Sequence, residues 1–266
     1  MHRAAAQERS NAVLPRASGL VMDLDGTLID AGERISPGVE AAVRAAASLV
    51  PVAIVSGREP GDVVRFARAV GLEGAQVSDN GARIVDPRAG RTLCEAPMHP
   101  AVARRIVSDL ERRGLRFFAV DAGRMARSRA EITVWRVTII AAHAVTQRAA
   151  DEVAGAYRGV PGVCVVPSLS ADAAMAYVNF TRTGVNKGTG VVRLARMVGV
   201  DPARLTAVGD SHNDVDMFAV VGTPVAMGNA PEEVKRAAGR VVAPVSADGL
   251  AEAIRRFVLP SGDGAP

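Results

Sequence analysis

Leu20-Val21-Met22-Asp23-Leu24-Asp25-Gly26-Thr27-Leu28 is the stretch on which the reading of this chain turns. The apolar run Leu20 to Leu24 reads as a short buried strand that ends in two carboxylates and a glycine. Asp23 and Asp25 are two positions apart, so in extended backbone both side chains point the same way. Carboxylates aimed at one spot repel, and one of them takes a raised pKa unless a cation sits between them. A hard cation such as Mg²⁺ takes oxygen ligands, commonly one or two carboxylates with water and a substrate phosphate. By itself the pair is also a good turn former ahead of Gly26, so its weight comes from what lies at the other strand ends.

Working outward, a helix is expected with Ser36 as N-cap, Pro37 at its first position, and Val39, Ala42, Val43 and Ala46 on one face. A strand, Val52 to Val55, runs into Ser56-Gly57-Arg58, and a helix from about Pro60 to Val70 precedes a strand at Ala75 to Val77. After residue 184 the rhythm returns. Lys187 to Val198 reads as a helix, and Leu205 to Val208 as a strand ending at Gly209-Asp210. Asn213 to Val220 is helical, Pro224 to Ala226 a strand, Pro231 to Ala238 a helix, and Arg240 to Val242 with Leu250 to Val258 a last strand and helix. This βαβ alternation specifies a parallel sheet with helices on both faces. Ligands of such sheets bind beyond the carboxyl ends of the strands, where Asp23-Leu24-Asp25, Ser56-Gly57-Arg58 and Gly209-Asp210 all lie. Ser56 and Gly57 can offer a hydroxyl and backbone N–H groups to an anion, and Lys187 can reach one beside its helix start. Asp210 and Asp214 add two carboxylates, and four converging acids without a metal would be costly.

The middle of the chain differs. Arg83 to Val85 and Thr92 to Leu93 are expected to pair as a hairpin. Helices follow at about Ala101 to Arg113 and Val145 to Arg158, with strands at Arg116 to Val120, Thr133 to Ile140, Val163 to Val166 and Ala176 to Phe180. That is an α+β unit inserted into an α/β domain. The expected division is a tail at 1–15, a core made of 16–82 and 184–259, an insert at 83–183, and a tail at 260–266. The insert holds 15 Arg and 9 Asp+Glu, a net +6, which leaves the remainder at −2.

Composition narrows the function classes. The 266 residues carry a net charge of +4 and are 48% apolar and 23% charged, as in ordinary soluble globular proteins. No apolar stretch reaches the roughly 18 residues of a membrane helix. Cys94 and Cys164 are too few for a disulfide framework and read as two small buried hydrophobes; with no secretory signal, the expected location is the cytoplasm. Aromatics make up 3% of the chain and interleave with no basic run, which argues against a nucleic-acid platform.

Asp23-Leu24-Asp25-Gly26-Thr27-Leu28, Ser56-Gly57-Arg58, Lys187 and Gly209-Asp210-Ser211-His212-Asn213-Asp214, in that order, resemble the haloacid dehalogenase (HAD) superfamily of phosphatases. The insert, opening at Ser78-Asp79-Asn80-Gly81-Ala82, resembles the α/β cap of the Cof-type, or IIB, subgroup. The resemblance implies a Rossmann-like parallel-sheet core with an α+β cap, and a Mg²⁺-dependent phosphatase of small phosphorylated metabolites such as sugar phosphates, phosphoglycolate or phosphoglycerate-like esters. It implies Asp23 as the nucleophile that becomes an aspartyl-phosphate, Asp25 as general acid and then base, and Ser56, Gly57, Lys187 and Asn213 around the phosphate. The metal would be held by Asp23, the main-chain carbonyl of Asp25, and Asp210, with Asp214 in support. A phosphomutase of the same superfamily and a non-catalytic phosphometabolite sensor are the alternatives. The basic insert suggests Arg124, Arg127 or Arg129 as a clamp on a second acidic group of the substrate, and Gly81 and Gly184 as hinge points. His212 is given no role. The expected partner is the small-molecule substrate, with no nucleic acid or membrane, and the expected state is a monomer or weak homodimer.

Overall fold

Residues 17–144, 146–169 and 176–260 are described by the computed structural model; the tail expected at 1–15, and 261–266 of the tail expected at 260–266, lie outside them. The described residues begin with β1 (Gly19–Met22), α1 (Pro37–Ala47), β2 (Val52–Ile54), α2 (Pro60–Ala69) and β3 (Gln76–Ser78). α1 starts where expected: Ser36 accepts the Val39 N–H at 3.1 Å, and the four apolar positions of one face are buried. β4 (Arg83–Asp86) and β5 (Arg91–Glu95) form the hairpin. The middle continues with α3 (Pro100–Arg112), β6 (Phe117–Asp121), β7 (Arg124–Ala126), β8 (Val137–Ala144), α4 (Gln147–Tyr157), β9 (Val163–Leu169) and β10 (Ala176–Arg182). The chain returns through α5 (Lys187–Val198), β11 (Leu205–Gly209), α6 (Val215–Phe218), β12 (Thr223–Ala226), α7 (Glu232–Ala238) and α8 (Gly249–Phe257).

Two larger sheets organise the described residues, with a third, three-stranded one of order β3-β4-β5 beside them. The first has the order β12-β11-β1-β2 with every pair parallel. A single parallel bridge between Val55 and Val77 carries it on to β3. One hydrophobic cluster joins the sheet to α1, α2 and α8, and another joins its opposite face to α5, α6 and α7. The second sheet, β7-β6-β8-β10-β9, is antiparallel throughout and covers one face with α3 and α4. Residues of alternate parity divide between its faces, as the pleat requires. Phe117, Ala119, Ala142, Val178 and Phe180 pack under the helices, while Phe118, Ala141, His143, Tyr177 and Asn179 face away from them.

Three expectations from sequence are corrected. The strand expected from Thr133 starts only at Val137, because the Asp121 carboxylate takes the backbone N–H groups of Val134 and Arg136, each at 2.8 Å, and Trp135 sits at φ +59°. β7, not expected at all, follows a two-residue turn in which Ala122 and Gly123 both have positive φ, the geometry of a tight hairpin. The strand expected at Arg240 to Val242 is reduced to one bridge between Ala226 and Val241. In addition, Cys94 and Cys164 are half-buried free thiols rather than fully buried ones.

The β4–β5 hairpin, assigned to the insert from sequence, packs with the core instead: β4 pairs with β3, and Ile84 and Val85 lie in the two core clusters. We therefore propose a division near Ala96 rather than at Arg83. Between hairpin and second sheet lies a buried polar junction. Arg83, 1% exposed, donates to Asp79 and Thr92 at 2.8 Å each and pairs with Glu95 at 2.5 Å. Thr138 of β8 donates to Asp79 at 2.7 Å, and Arg136 pairs with Glu95. Burial pushes the Asp79 carboxyl up to about 6, with Arg83 opposing the rise.

The outgoing and returning passages meet at Gly81, where a Cβ would stand 1.9 Å from the Asn186 carbonyl oxygen and φ is +93°. Gly81→Ala should therefore cost roughly 2 kcal/mol or more, lowering the melting temperature by about 5 °C in calorimetry. An unchanged melting temperature would contradict this close approach.

Candidate active site

Asp23 continues β1 past its last strand residue and stays in register, its N–H donating to the Val208 carbonyl at 2.9 Å. Its side chain therefore sits over the carboxyl edge of the parallel sheet, 4% exposed. Lys187, the first residue of α5, is 1% exposed and its Nζ donates to Asp23 Oδ1 and Asp214 Oδ1, each at 2.6 Å. α5 is fixed there by a capping box between Asn186 and Thr189. The second oxygen of Asp214 accepts the N–H groups of Asp210 and Ser211, both at 2.9 Å, which folds the turn after β11 around it. Asp210 Oδ2 accepts from Asn229 at 3.0 Å, and Asn229 also holds the Gly26 carbonyl at 3.0 Å. The β1 and β11 loops can come this close because residue 26 is glycine: a Cβ there would stand 2.2 Å from Asp210 Oδ2.

Asp23, Asp210 and Asp214 thus place one carboxylate oxygen each within 4.8 Å of one another. Burial pushes the Asp23 carboxyl up to about 7, with Asp214 adding to the rise and Lys187 opposing it. Burial, with Asp23 and Asp214 nearby, also raises the Asp210 carboxyl well above the usual range. Burial alone would lower the Lys187 ammonium, but Asp214 and Asp23 outweigh it and hold the group charged. One cation among three close acids, Asp23 and Asp214 buried and Asp210 half-buried, leaves negative charge to spare. Asp210 Oδ1 is buried and has no hydrogen-bond partner. An all-oxygen donor set with an orphaned carboxylate oxygen fits a hard divalent cation such as Mg²⁺.

Asp25 stands apart from that cluster. Its carboxylate is held by Arg58 through two edges, with contacts of 2.6 and 2.9 Å. Ser56 is buried, and its hydroxyl accepts the Arg58 N–H at 3.1 Å. Asn213 is buried between Ser211, which donates to it at 2.5 Å, and Asn80, which accepts from it at 3.4 Å. Asp23, Asp25, Ser56, Gly57, Lys187, Asp210 and Asn213 all line one cavity of about 940 Å³. Asp214 lies behind it, completely buried.

The roof of this cavity is the free face of the antiparallel sheet: Phe118, His143, Tyr177 and Asn179, with Arg116 beside them. The His143 ring meets Tyr177 edge-on at 4.8 Å and Phe118 at 6.2 Å. Burial, with Arg116 nearby, pulls the imidazole below its usual pKa. Of the three arginines singled out from sequence, Arg127 lines the cavity. Arg124 is exposed at the β6–β7 turn, and Arg129 donates to Ser108 at 2.6 Å and lies over the Trp135 ring. His212 pairs with Glu233 at the surface. Sequence reasoning missed the roof, whose alternation is written in Arg116-Phe117-Phe118 and Tyr177-Val178-Asn179, and left Arg58 without a role.

Residues 20–155 and 128–254 match the family model for haloacid dehalogenase-like hydrolases. Among curated proteins, a phosphoglycolate phosphatase of Halorubrum lacusprofundi is 33% identical over 238 residues, covering 87% of this chain and 93% of its own. One of Methanoculleus marisnigri is 29% identical over 242 residues, covering 90% and 95%. Among solved structures, a haloacid dehalogenase-like hydrolase from B. subtilis superposes with a TM-score of 0.79 at 22% identity, covering 90% of this chain and 99% of its own. A HAD subclass IIB sugar phosphatase gives 0.76 at 21%, covering 90% and 98%. At such identities the likeness is one of fold, and it extends to the second sheet.

The charge imbalance makes a measurable prediction. The folded Asp23 carboxyl keeps its proton to about 7 against an ordinary value of 3.8, so between those values the folded state binds more protons than the unfolded one. Stability is then lost as pH rises through the window. In EDTA, the melting temperature should fall between about pH 5 and pH 7.5, and Asp210→Asn should flatten the slope. A flat or rising profile in the parent protein would contradict the crowding of acids.

Proposed function

We propose that this chain, which belongs to the haloacid dehalogenase-like hydrolases, is a phosphatase that hydrolyses small phosphomonoesters through an aspartyl-phosphate on Asp23. The observation that carries this reading is a buried carboxylate held by a buried ammonium at the open end of a parallel sheet. In the first step an Asp23 carboxylate oxygen attacks phosphorus, the ester P–O bond breaks, and the departing oxygen takes a proton from the Asp25 carboxyl. In the second, Asp25 takes a proton from water, the water oxygen attacks phosphorus, and inorganic phosphate leaves as the Asp23 carboxylate is restored. Lys187, the Ser56 hydroxyl and the Gly57 N–H face the non-bridging oxygens, over which charge spreads in the transition state, and Asn213 closes that side. Asp23, Asp210 and the Asp25 main-chain carbonyl would hold Mg²⁺ with Asp214 in support, and the ion would lower the repulsion between carboxylate and phosphate.

The leaving group lies under the roof. The curated relatives are named for phosphoglycolate, whose alcohol carries a carboxylate. Arg127, with Arg116 on the same cavity, suits a leaving group with such a second negative charge. Phosphate release from a panel of phosphometabolites, with Mg²⁺, with EDTA and with Asp23→Asn, tests the activity. Release should require the metal and fall at least about 10³-fold in the variant. Metal-independent release, or turnover that survives in Asp23→Asn, would sink the reading. Arg127→Ala should raise KM for phosphoglycolate about tenfold while leaving p-nitrophenyl phosphate, which lacks the carboxylate, within about twofold. Equal effects on both substrates would remove Arg127 from the clamp.

A further inference from the structure

Arg58 is the one charged residue of the three strand-end segments to which the proposed chemistry gives no task. It precedes α2 by two residues and is largely enclosed, its side chain 23% exposed. All three of its guanidinium nitrogens are engaged. Nε and Nη2 take the two oxygens of Asp25 at 2.9 and 2.6 Å, and Nη1 takes Glu33 at 2.5 Å and Asp62 at 3.3 Å. Asp25 and Glu33 belong to the same connection, the loop between β1 and α1. Glu33 is held there at φ +57° and is gripped a second time by Arg65 at 3.0 Å. Burial opposes the charge on Arg58, but the carboxylates of Asp25 and Glu33 outweigh it, so the guanidinium stays protonated.

Asp25 needs such a partner. Its side chain is 37% exposed, and Arg58 supplies its only hydrogen bonds among the described residues. A lone carboxylate at this exposure samples several rotamers, and some would turn it toward the acid cluster. A two-edged guanidinium grip fixes both the plane and the direction of the carboxylate, which a lysine ammonium cannot do. A proton donor displaced by about 1 Å can cost a reaction on the order of 10²-fold.

We infer that Arg58 is the positioning residue for Asp25, holding that carboxyl at the cavity mouth, apart from the metal-binding acids, and fastening the β1–α1 loop that carries it to the start of α2. This rests on the reading of Asp25 as the group that exchanges protons with the leaving oxygen and with water. Arg58 acts through Asp25 and touches neither phosphorus nor the leaving group.

The test is a double-mutant cycle of Arg58→Met and Asp25→Asn in the Mg²⁺-loaded enzyme, with phosphoglycolate as probe and p-nitrophenyl phosphate for comparison. In the parent background Arg58→Met should lower kcat for phosphoglycolate about 10- to 100-fold with KM within about threefold. In the first, phosphoryl-transfer step, read as the single-turnover rate, the loss should be smaller for p-nitrophenyl phosphate, since its leaving group needs no proton, whereas the water step common to both substrates should slow alike. In the Asp25→Asn background the same change should cost less than about twofold. Arg58→Lys, which keeps the charge and guards against a folding defect, should recover only part of kcat, and Glu33→Gln should cost less than Arg58→Met. Losses that multiply across the cycle, or a KM that rises equally in both backgrounds, would overturn the assignment and make Arg58 a direct substrate contact. Full phosphoglycolate turnover in Asp25→Asn alone would instead sink the proton-transfer reading, and a parent that releases no phosphate would sink the phosphatase reading, in each case taking the assignment with it.

Discussion

Everything at the open end of the parallel sheet depends on one buried ammonium. Lys187 holds Asp23 from β1 and Asp214 from the turn after β11, each at 2.6 Å, so two neighbouring strands and α5 are joined at a single nitrogen. Removing one partner of such a pair leaves an uncompensated buried charge, typically costing about 3–5 kcal/mol. The pair is incomplete in its own right, because Asp210 brings a further, half-buried carboxylate whose buried Oδ1 has no hydrogen-bond partner among the described residues. The fold has gathered more negative charge than its own cation can balance, an imbalance that suits the cluster to a divalent cation.

The structure divides its labour by sheet. The parallel sheet and its helices fix the acids and the lysine through main-chain register: Asp23 bonds to Val208, and Asp210 and Ser211 fold around Asp214. The antiparallel sheet turns its aromatic and basic face onto the same cavity while its other face is sealed by α3 and α4. Substitutions on that free face can change what fits beneath it without disturbing the acid cluster. The buried polar junction of Arg83, Asp79, Glu95 and Thr138 ties the two parts together at the hairpin.

The parallel-sheet half was legible in the sequence because local signals there agree with the fold. Ser36-Pro37 starts a helix, apolar runs end in polar strand-end segments, and the acids stand where parallel strands must place ligands. The cluster of Asp23, Lys187, Asp210 and Asp214 joins residues far apart in sequence, and only the strand order brings them together. What the sequence concealed were tertiary decisions. Asp121 consumes the N–H groups that would have begun β8 at Thr133. Arg124 and Arg129 look equivalent to Arg127 until the β6–β7 turn and Trp135 take them elsewhere. The roof could not be picked out because alternation in a strand says that two faces exist, not which one is covered by helices.

A phosphatase of this kind must bond phosphorus to Asp23 during turnover. The most direct measurement is to mix the Mg²⁺-loaded enzyme with a ³²P-labelled substrate, quench in acid on the millisecond scale, and map the labelled peptide. The expected result is acid-stable, hydroxylamine-labile label on the peptide containing Asp23, appearing before free phosphate and absent in Asp23→Asn. Phosphate released with no labelled protein at any time, or label carried by another residue, would contradict it.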